Sequence, residues 1–197
     1  MERTLFTLLL VLNLSFSAVA QSPVTDREAT IERIATAMKQ QAGKTVSYSF
    51  TQTKHSPMLS QDAVSHGTLS LSGERNMRWH YTDPKDHAIV VIGDSIYTES
   101  NGIRKSLSGA SGAITRNITK TMIALCSDDA LLDENVFSVD LTEDASTYHA
   151  TLTPKRRDLR RLMQQITVDF DKKNCRIRKV KLTEKHNSYT VIEFQAR

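Results

Sequence analysis

This chain has little of what covalent chemistry needs. Its six histidines (His55, His66, His80, His87, His149 and His186) never fall as HxH or HExxH, so the common metal-ligand spacings are missing. No GxSxG surrounds a serine, which excludes the usual nucleophile elbow. The small-residue run Gly109-Ala110-Ser111-Gly112 lacks the lysine of a phosphate loop. The adjacent carboxylates Asp128-Asp129 read as a solvated turn. Without an acid, base or nucleophile constellation, the chain is expected to be neither an enzyme nor dependent on a metal or cofactor. Two cysteines, Cys126 and Cys175, are too few for a disulfide framework and form no CxxC. Their pairing stays open, because it depends on how closely their Cα atoms approach.

Long hydrophobic runs are equally scarce. The apolar run Leu5 to Leu14 follows Arg3 and is too short to span a bilayer. Ala18-Val19-Ala20 supplies a small-residue cleavage site ahead of Gln21. Residues 1–20 are therefore expected to be a cleaved signal peptide, and 21–197 a single exported domain. No cysteine sits at the cleavage point, so a lipid-anchored mature terminus is not expected. The net charge of +4 gathers partly at Lys155-Arg156-Arg157 and Arg160-Arg161. Such a patch suits anionic head groups or an acidic partner, but a charge run of this kind more often marks a solvated helix face; export argues against nucleic acid. A monomer is expected.

What the chain does have is alternation. Val46, Tyr48 and Phe50 alternate with Ser47, Ser49 and Thr51. Gly67, Leu69 and Leu71 alternate with Thr68, Ser70 and Ser72. Met77, Trp79 and Tyr81 alternate with Arg78, His80 and Thr82, until Asp83-Pro84 stops the pattern. Further strands are predicted at Ala88 to Ile92, Ser95 to Glu99, Val136 to Leu141, Thr147 to Thr153, Gln165 to Phe170, Arg176 to Thr183 and Tyr189 to Gln195. Gln52 to Ser65 has mixed signals and reads as a long connection or irregular strand ends.

Helices are predicted at three points. The first covers residues 25 to 42, with Thr25 and Glu28 at capping-box spacing and a stripe of Ile31, Ile34, Ala35, Met38 and Ala42. The second runs from about Ala113 to Cys126 with the stripe Ile114, Ile118, Met122 and Leu125. The third is short and basic, Lys155 to Met163, opened by Pro154. The sum is a mainly β chain of α+β type: an antiparallel meander of nine to eleven strands, closed as a barrel or strongly curved.

One surface stands out. Tyr48, Phe50, Leu69, Leu71, Met77, Trp79 and Tyr81 share one face of three consecutive strands, and Ile89 and Val91 extend it. Two readings follow. The face is either a packed barrel interior, which regular stripes usually signify, or a cavity for an apolar ligand under helical lids.

The order of segments then resembles a known family. A leader and a capped helix precede Tyr48-Ser49-Phe50-Thr51-Gln52, Gly67-Thr68-Leu69 and Arg78-Trp79-His80-Tyr81-Thr82-Asp83-Pro84. Leu152-Thr153-Pro154-Lys155 and Tyr189-Thr190-Val191-Ile192-Glu193-Phe194 follow. This series resembles the LolA-like periplasmic carriers of outer-membrane lipoproteins, in the form found in Bacteroidetes-type bacteria.

The resemblance implies an unclosed antiparallel β-barrel with a helical lid, located in the periplasm. Its apolar cavity would hold lipoprotein acyl chains, walled by the nine residues above, with Ile114, Ile118 and Met122 on the lid. An inner-membrane ABC transporter complex would load it and an outer-membrane acceptor unload it, with no covalent chemistry. Family members often carry an Arg-Pro pair ahead of the aromatic strand, whose arginine latches the lid. Here the stretch is Gly73-Glu74-Arg75-Asn76, and Arg75 is the nearest latch candidate. Related folds bind other lipids or sense mislocalised lipoproteins. A carrier of another lipid or polyene, and a ligand-free sensor or interaction domain, are therefore the alternatives.

Overall fold

The structure, a computed structural model, describes residues 21–42, 44–73, 76–107 and 135–196. Twelve strands form one sheet: β1 (Ser22–Pro23), β2 (Val46–His55), β3 (Ala63–Ser72), β4 (Asn76–Asp83), β5 (His87–Ile92), β6 (Ser95–Ser100), β7 (Ile103–Ser106), β8 (Phe137–Glu143), β9 (Thr147–Pro154), β10 (Gln165–Asp171), β11 (Ile177–Thr183) and β12 (Tyr189–Ala196). Their order across the sheet is β1-β8-β9-β10-β11-β12-β2-β3-β4-β5-β6-β7. Neighbouring strands are antiparallel throughout, and the edge strands β1 and β7 do not pair with each other. The sheet is therefore an unclosed half-barrel, with two helices among the described residues: α1 (Arg27–Ala42) and α2 (Arg157–Leu162).

Most strands lie where alternation places them, and the departures have local causes. β7 is added by Asn101-Gly102, whose φ values of 51° and 73° make the two-residue turn that matches sheet twist. β2 and β3 do not dissolve into an irregular connection after Gln52. They pair as far as Lys54↔Ala63, so only 56–62 is loop. Gln52 and Lys54 put polar side chains at positions where the pattern calls for apolar ones. That hides the alternation while leaving the backbone ladder intact.

The helices are likewise adjusted. Asp26, not Thr25, caps α1: its Oδ1 accepts the Ala29 N–H at 3.0 Å. Ile34 and Met38 are buried beneath α1. Arg33 fastens the helix to the sheet, donating to the Tyr148 hydroxyl at 3.1 Å and to the Lys172 carbonyl at 2.7 Å. α2 starts at Arg157, and Pro154 ends β9 instead of opening the helix. Leu159 and Met163 are buried, whereas Arg157, Arg160 and Arg161 face solvent.

Register lines up one apolar face across the sheet. Leu141, Ala150, Val168, Val180 and Ile192 are successive cross-strand partners from β8 to β12. The largest fully buried side chains are Phe170, Leu69, Leu152, Ile166, Val168 and Val180. All but Leu69 belong to β9, β10 or β11, so the most tightly enclosed packing lies in that half.

The opposite face is largely polar, apart from buried Ala88 and Val90 on β5, and is held by charge. Arg78 and Arg104 donate to Glu99 at 2.7 and 3.1 Å, and these bonds lower its pKa from 4.5 to about 2. Asp144 is lowered to about 2 as well, chiefly by the Ser146 backbone N–H, with His149 at 3.1 Å assisting. Both folded-state values are depressed, so this stabilisation is complete above the ordinary carboxylate range and disappears as pH falls towards about 2. Glu99→Gln is accordingly expected to lower the thermal midpoint at neutral pH. The gap from wild type should close as pH drops from 4.5 to about 2. A gap of constant size in a thermal-melt series across pH would contradict this account.

Candidate functional site

The strand register assembles the candidate surface. Tyr48↔Leu69↔Trp79↔Ile89 form one row across β2 to β5. Val46↔Leu71↔Met77↔Val91 form the next, and Phe50↔Gly67↔Tyr81 a third. All nine residues singled out by alternation therefore share the apolar face. Phe50, Leu69, Met77, Trp79 and Val91 are each at most 4% exposed, while Tyr48, Leu71, Tyr81 and Ile89 are half-buried.

Aromatic rings dominate the centre. Phe50 lies 4.8 Å from Trp79 and meets Tyr81 edge-on at 5.3 Å between centroids. Phe194 of β12 packs edge-on against Trp79 at 6.0 Å and Tyr48 at 6.1 Å. Such contacts add about 0.5–1.5 kcal/mol each beyond area burial. The Phe50 ring lies over Gly67, where a Cβ would approach Phe50 Cζ to 2.6 Å.

Gaps interrupt this packing, and two of them share no lining residue. One of about 30 Å³ is bounded by Tyr48, Leu69 and Leu71 together with Met38, Ile177 and Phe194. The other, of about 190 Å³, is bounded by Met77, Trp79, Tyr81 and Ile89 together with Gln52, Lys54, Leu182, Glu184, Thr190 and Ile192. Phe50 and Val91 border neither; Phe50 instead reaches a separate, more polar hollow of about 260 Å³ lined also by His66, Gly67 and Glu193. An apolar cavity of roughly 150 Å³ holds one benzene, so the larger gap takes a short piece of alkyl chain. A longer chain must displace side chains of the face.

The second half of the sheet contributes wall residues that the first strands alone do not reveal. Ile192 and Phe194 alternate within β12 as plainly as Trp79 and Tyr81 do in β4. What is not local is the pairing of β12 with β2, Phe194↔Phe50, which brings them to this site. Gln52, Lys54, Glu184 and Thr190 escape a search for apolar stripes because they are polar.

These polar groups give the larger gap its chemistry. The Tyr81 hydroxyl donates to Gln52 Oε1 at 3.0 Å, and burial pushes the Tyr81 pKa up. The Trp79 indole N–H lies near enough to that phenol oxygen to favour its ionised form slightly, yet does not reach hydrogen-bonding geometry. Nε1 is buried with no hydrogen-bond partner. Leaving such a donor unpaired costs about 1–3 kcal/mol.

The proposed lid residues Ile114, Ile118 and Met122, the latch candidate Arg75, the leader residues 1–20 and Cys126 lie outside the described residues. Cys175 is a free, buried thiol whose pKa is raised by that burial. Among the described residues, no His, Cys, Asp and Glu cluster could hold a metal ion, and no helix is long and apolar enough to cross a membrane.

Several solved structures are similar to this chain. A LolA superfamily protein from Nitrosomonas europaea is 12% identical, with a TM-score of 0.40, over 82% of this chain and 91% of that one. A DUF1329 family protein from Desulfovibrio piger is 13% identical, with a TM-score of 0.43, over 85% and 90%. A putative outer membrane lipoprotein-sorting protein domain from Vibrio parahaemolyticus is 12% identical, with a TM-score of 0.41, over 86% and 90%. No curated protein matches the sequence. The family model described as outer membrane lipoprotein carrier protein LolA matches residues 41–196, from the end of α1 through β12 and across the whole candidate face, and the chain belongs to that family.

Proposed function

We propose that this protein carries lipoproteins through the periplasm, shielding their acyl chains between the inner and outer membranes. Membership of the LolA family supports a lipid- or lipoprotein-binding role of the carrier type. The observation that carries the reading is the continuous apolar face of an unclosed sheet, lined from β2 to β5 and again from β12. In this reading residues 1–20 direct export and are removed. An inner-membrane ABC transporter complex loads the carrier, an outer-membrane acceptor empties it, and no covalent step takes place on it.

The packing of the face suits a carrier. Burying an acyl chain is worth about 0.8 kcal/mol per methylene, enough for a long chain to bind almost irreversibly to an open cavity. Here cargo must first part Phe50, Trp79, Tyr81 and Phe194, whose contacts close the face. Net affinity is the difference between those two quantities, which keeps release within reach of an acceptor.

Mass spectrometry of material copurifying with the protein from its native periplasm tests this directly. Diacyl or triacyl peptides are the expected cargo. A phospholipid or polyene in their place would assign it to another lipid. An empty protein that also fails to bind a synthetic acylated peptide would make it an interaction domain.

A further inference from the structure

We propose that the gap beside Trp79 recognises the carbonyl oxygen at the head of an acyl chain, with the Trp79 indole N–H as donor. This deepens, and rests on, the reading of the apolar face as an acyl-chain site. Among the described residues, Trp79 Nε1 is the one buried side-chain nitrogen or oxygen without a hydrogen-bond partner. Buried donors in folded proteins are almost always paired, so an orphan on a side chain that borders a gap calls for an acceptor from elsewhere. The Tyr81 hydroxyl, which donates to Gln52 at 3.0 Å, keeps lone pairs that could accept the indole N–H, but the two do not meet in bonding geometry.

The lining narrows the chemistry of the missing partner. Met77, Ile89, Leu182 and Ile192 give the gap apolar walls, suited to methylenes. Lys54 and Glu184 both border it, so it offers no net charge to a free carboxylate. A neutral ester or amide carbonyl joined to an alkyl chain combines one acceptor with apolar surface. The volume of about 190 Å³ admits that group and its first methylenes. Nε1 is sealed inside the closed face, so the acceptor reaches it as the chain separates Trp79 from Tyr81, whose ring centroids lie 6.4 Å apart. A plain alkyl chain entering the same way leaves the donor unpaired.

Two probes with the same head group and chain length isolate the carbonyl: a palmitoyl lysophospholipid and its O-hexadecyl ether analogue. The ester is expected to bind about five- to tenfold more tightly, the size of one neutral hydrogen bond. Trp79 is the only tryptophan, so a single indole proton reports on the site by NMR in the unaltered protein. It should move downfield and exchange more slowly with the ester, and not with the ether. Trp79→Phe should erase the preference. Equal affinities with an unmoved indole proton overturn carbonyl recognition while leaving the acyl site standing, and so does a preference that survives in Trp79→Phe. Binding of neither probe overturns the acyl-site reading and this inference together. Should Trp79→Phe fail to fold, the indole resonance of the wild-type protein decides alone.

Discussion

Gly67→Ala is expected to destabilise the protein by about 3 kcal/mol, at the upper end of what overpacking a core usually costs. Gly67 is buried where β3 shifts register against β4, between the pairs His66↔Asp83 and Gly67↔Tyr81. A Cβ there would sit inside van der Waals contact of the His80 carbonyl oxygen and 2.6 Å from Phe50 Cζ. The ring can yield by rotating; the backbone carbonyl on the paired strand cannot yield without disturbing the β3–β4 ladder. Removing the ring as well, in Gly67→Ala with Phe50→Leu, should therefore recover only part of the loss. Urea unfolding with a double-mutant cycle reads both numbers. A loss under 1 kcal/mol, or complete recovery in the double variant, would show that the carbonyl contact is not the obstacle. The functional consequence follows from position: Gly67 seats Phe50, and Phe50 contacts both Trp79 and Tyr81 beside the larger gap.

Phe170→Ala should cost about 4 kcal/mol, and Ile89→Ala less than half as much. Phe170 is 0% exposed, between Tyr148 on β9 and Ile177 on β11, and borders neither of the two gaps described above. Truncation there removes transfer energy and leaves a cavity that a rigid surrounding cannot collapse. Ile89 is half-buried and already borders the larger gap, so its loss enlarges an existing space. Chemical denaturation of the two variants measures the contrast. Similar losses would mean that the β2–β5 half is packed as firmly as the β9–β11 half. That would remove the physical basis for a face that opens on one side and holds its shape on the other.

Much of this architecture is legible residue by residue. Met77, Trp79 and Tyr81 had to point the same way, because successive side chains of a strand alternate whatever surrounds them. Ile34 and Met38 had to fall on one side of α1 for the same kind of reason. The end of β4 at Asp83, just before Pro84, is equally local. Asn101-Gly102 is the strongest short hairpin signal in the chain, and β7 follows from it. The extension of β2 through Gln52 and Lys54 does not, because polar residues on an inward face break the pattern that marks a strand.

The candidate site divides along the same line. That Tyr48, Phe50, Leu69, Trp79 and Ile89 would share a surface needed only alternation and short hairpins, both set within a few dozen consecutive residues. That Gln52 holds the Tyr81 hydroxyl and Trp79 keeps an unpaired N–H depends on side-chain packing within β2 to β4, which alternation does not specify. That Phe194 closes this surface is a consequence of β12 lying against β2. That contact joins residues more than a hundred positions apart, and no pattern within either strand specifies its partner or its register. Periodicity decides the direction of a side chain; the density of atoms around it, and hence whether an apolar face is filled or open, depends on which distant strand arrives opposite.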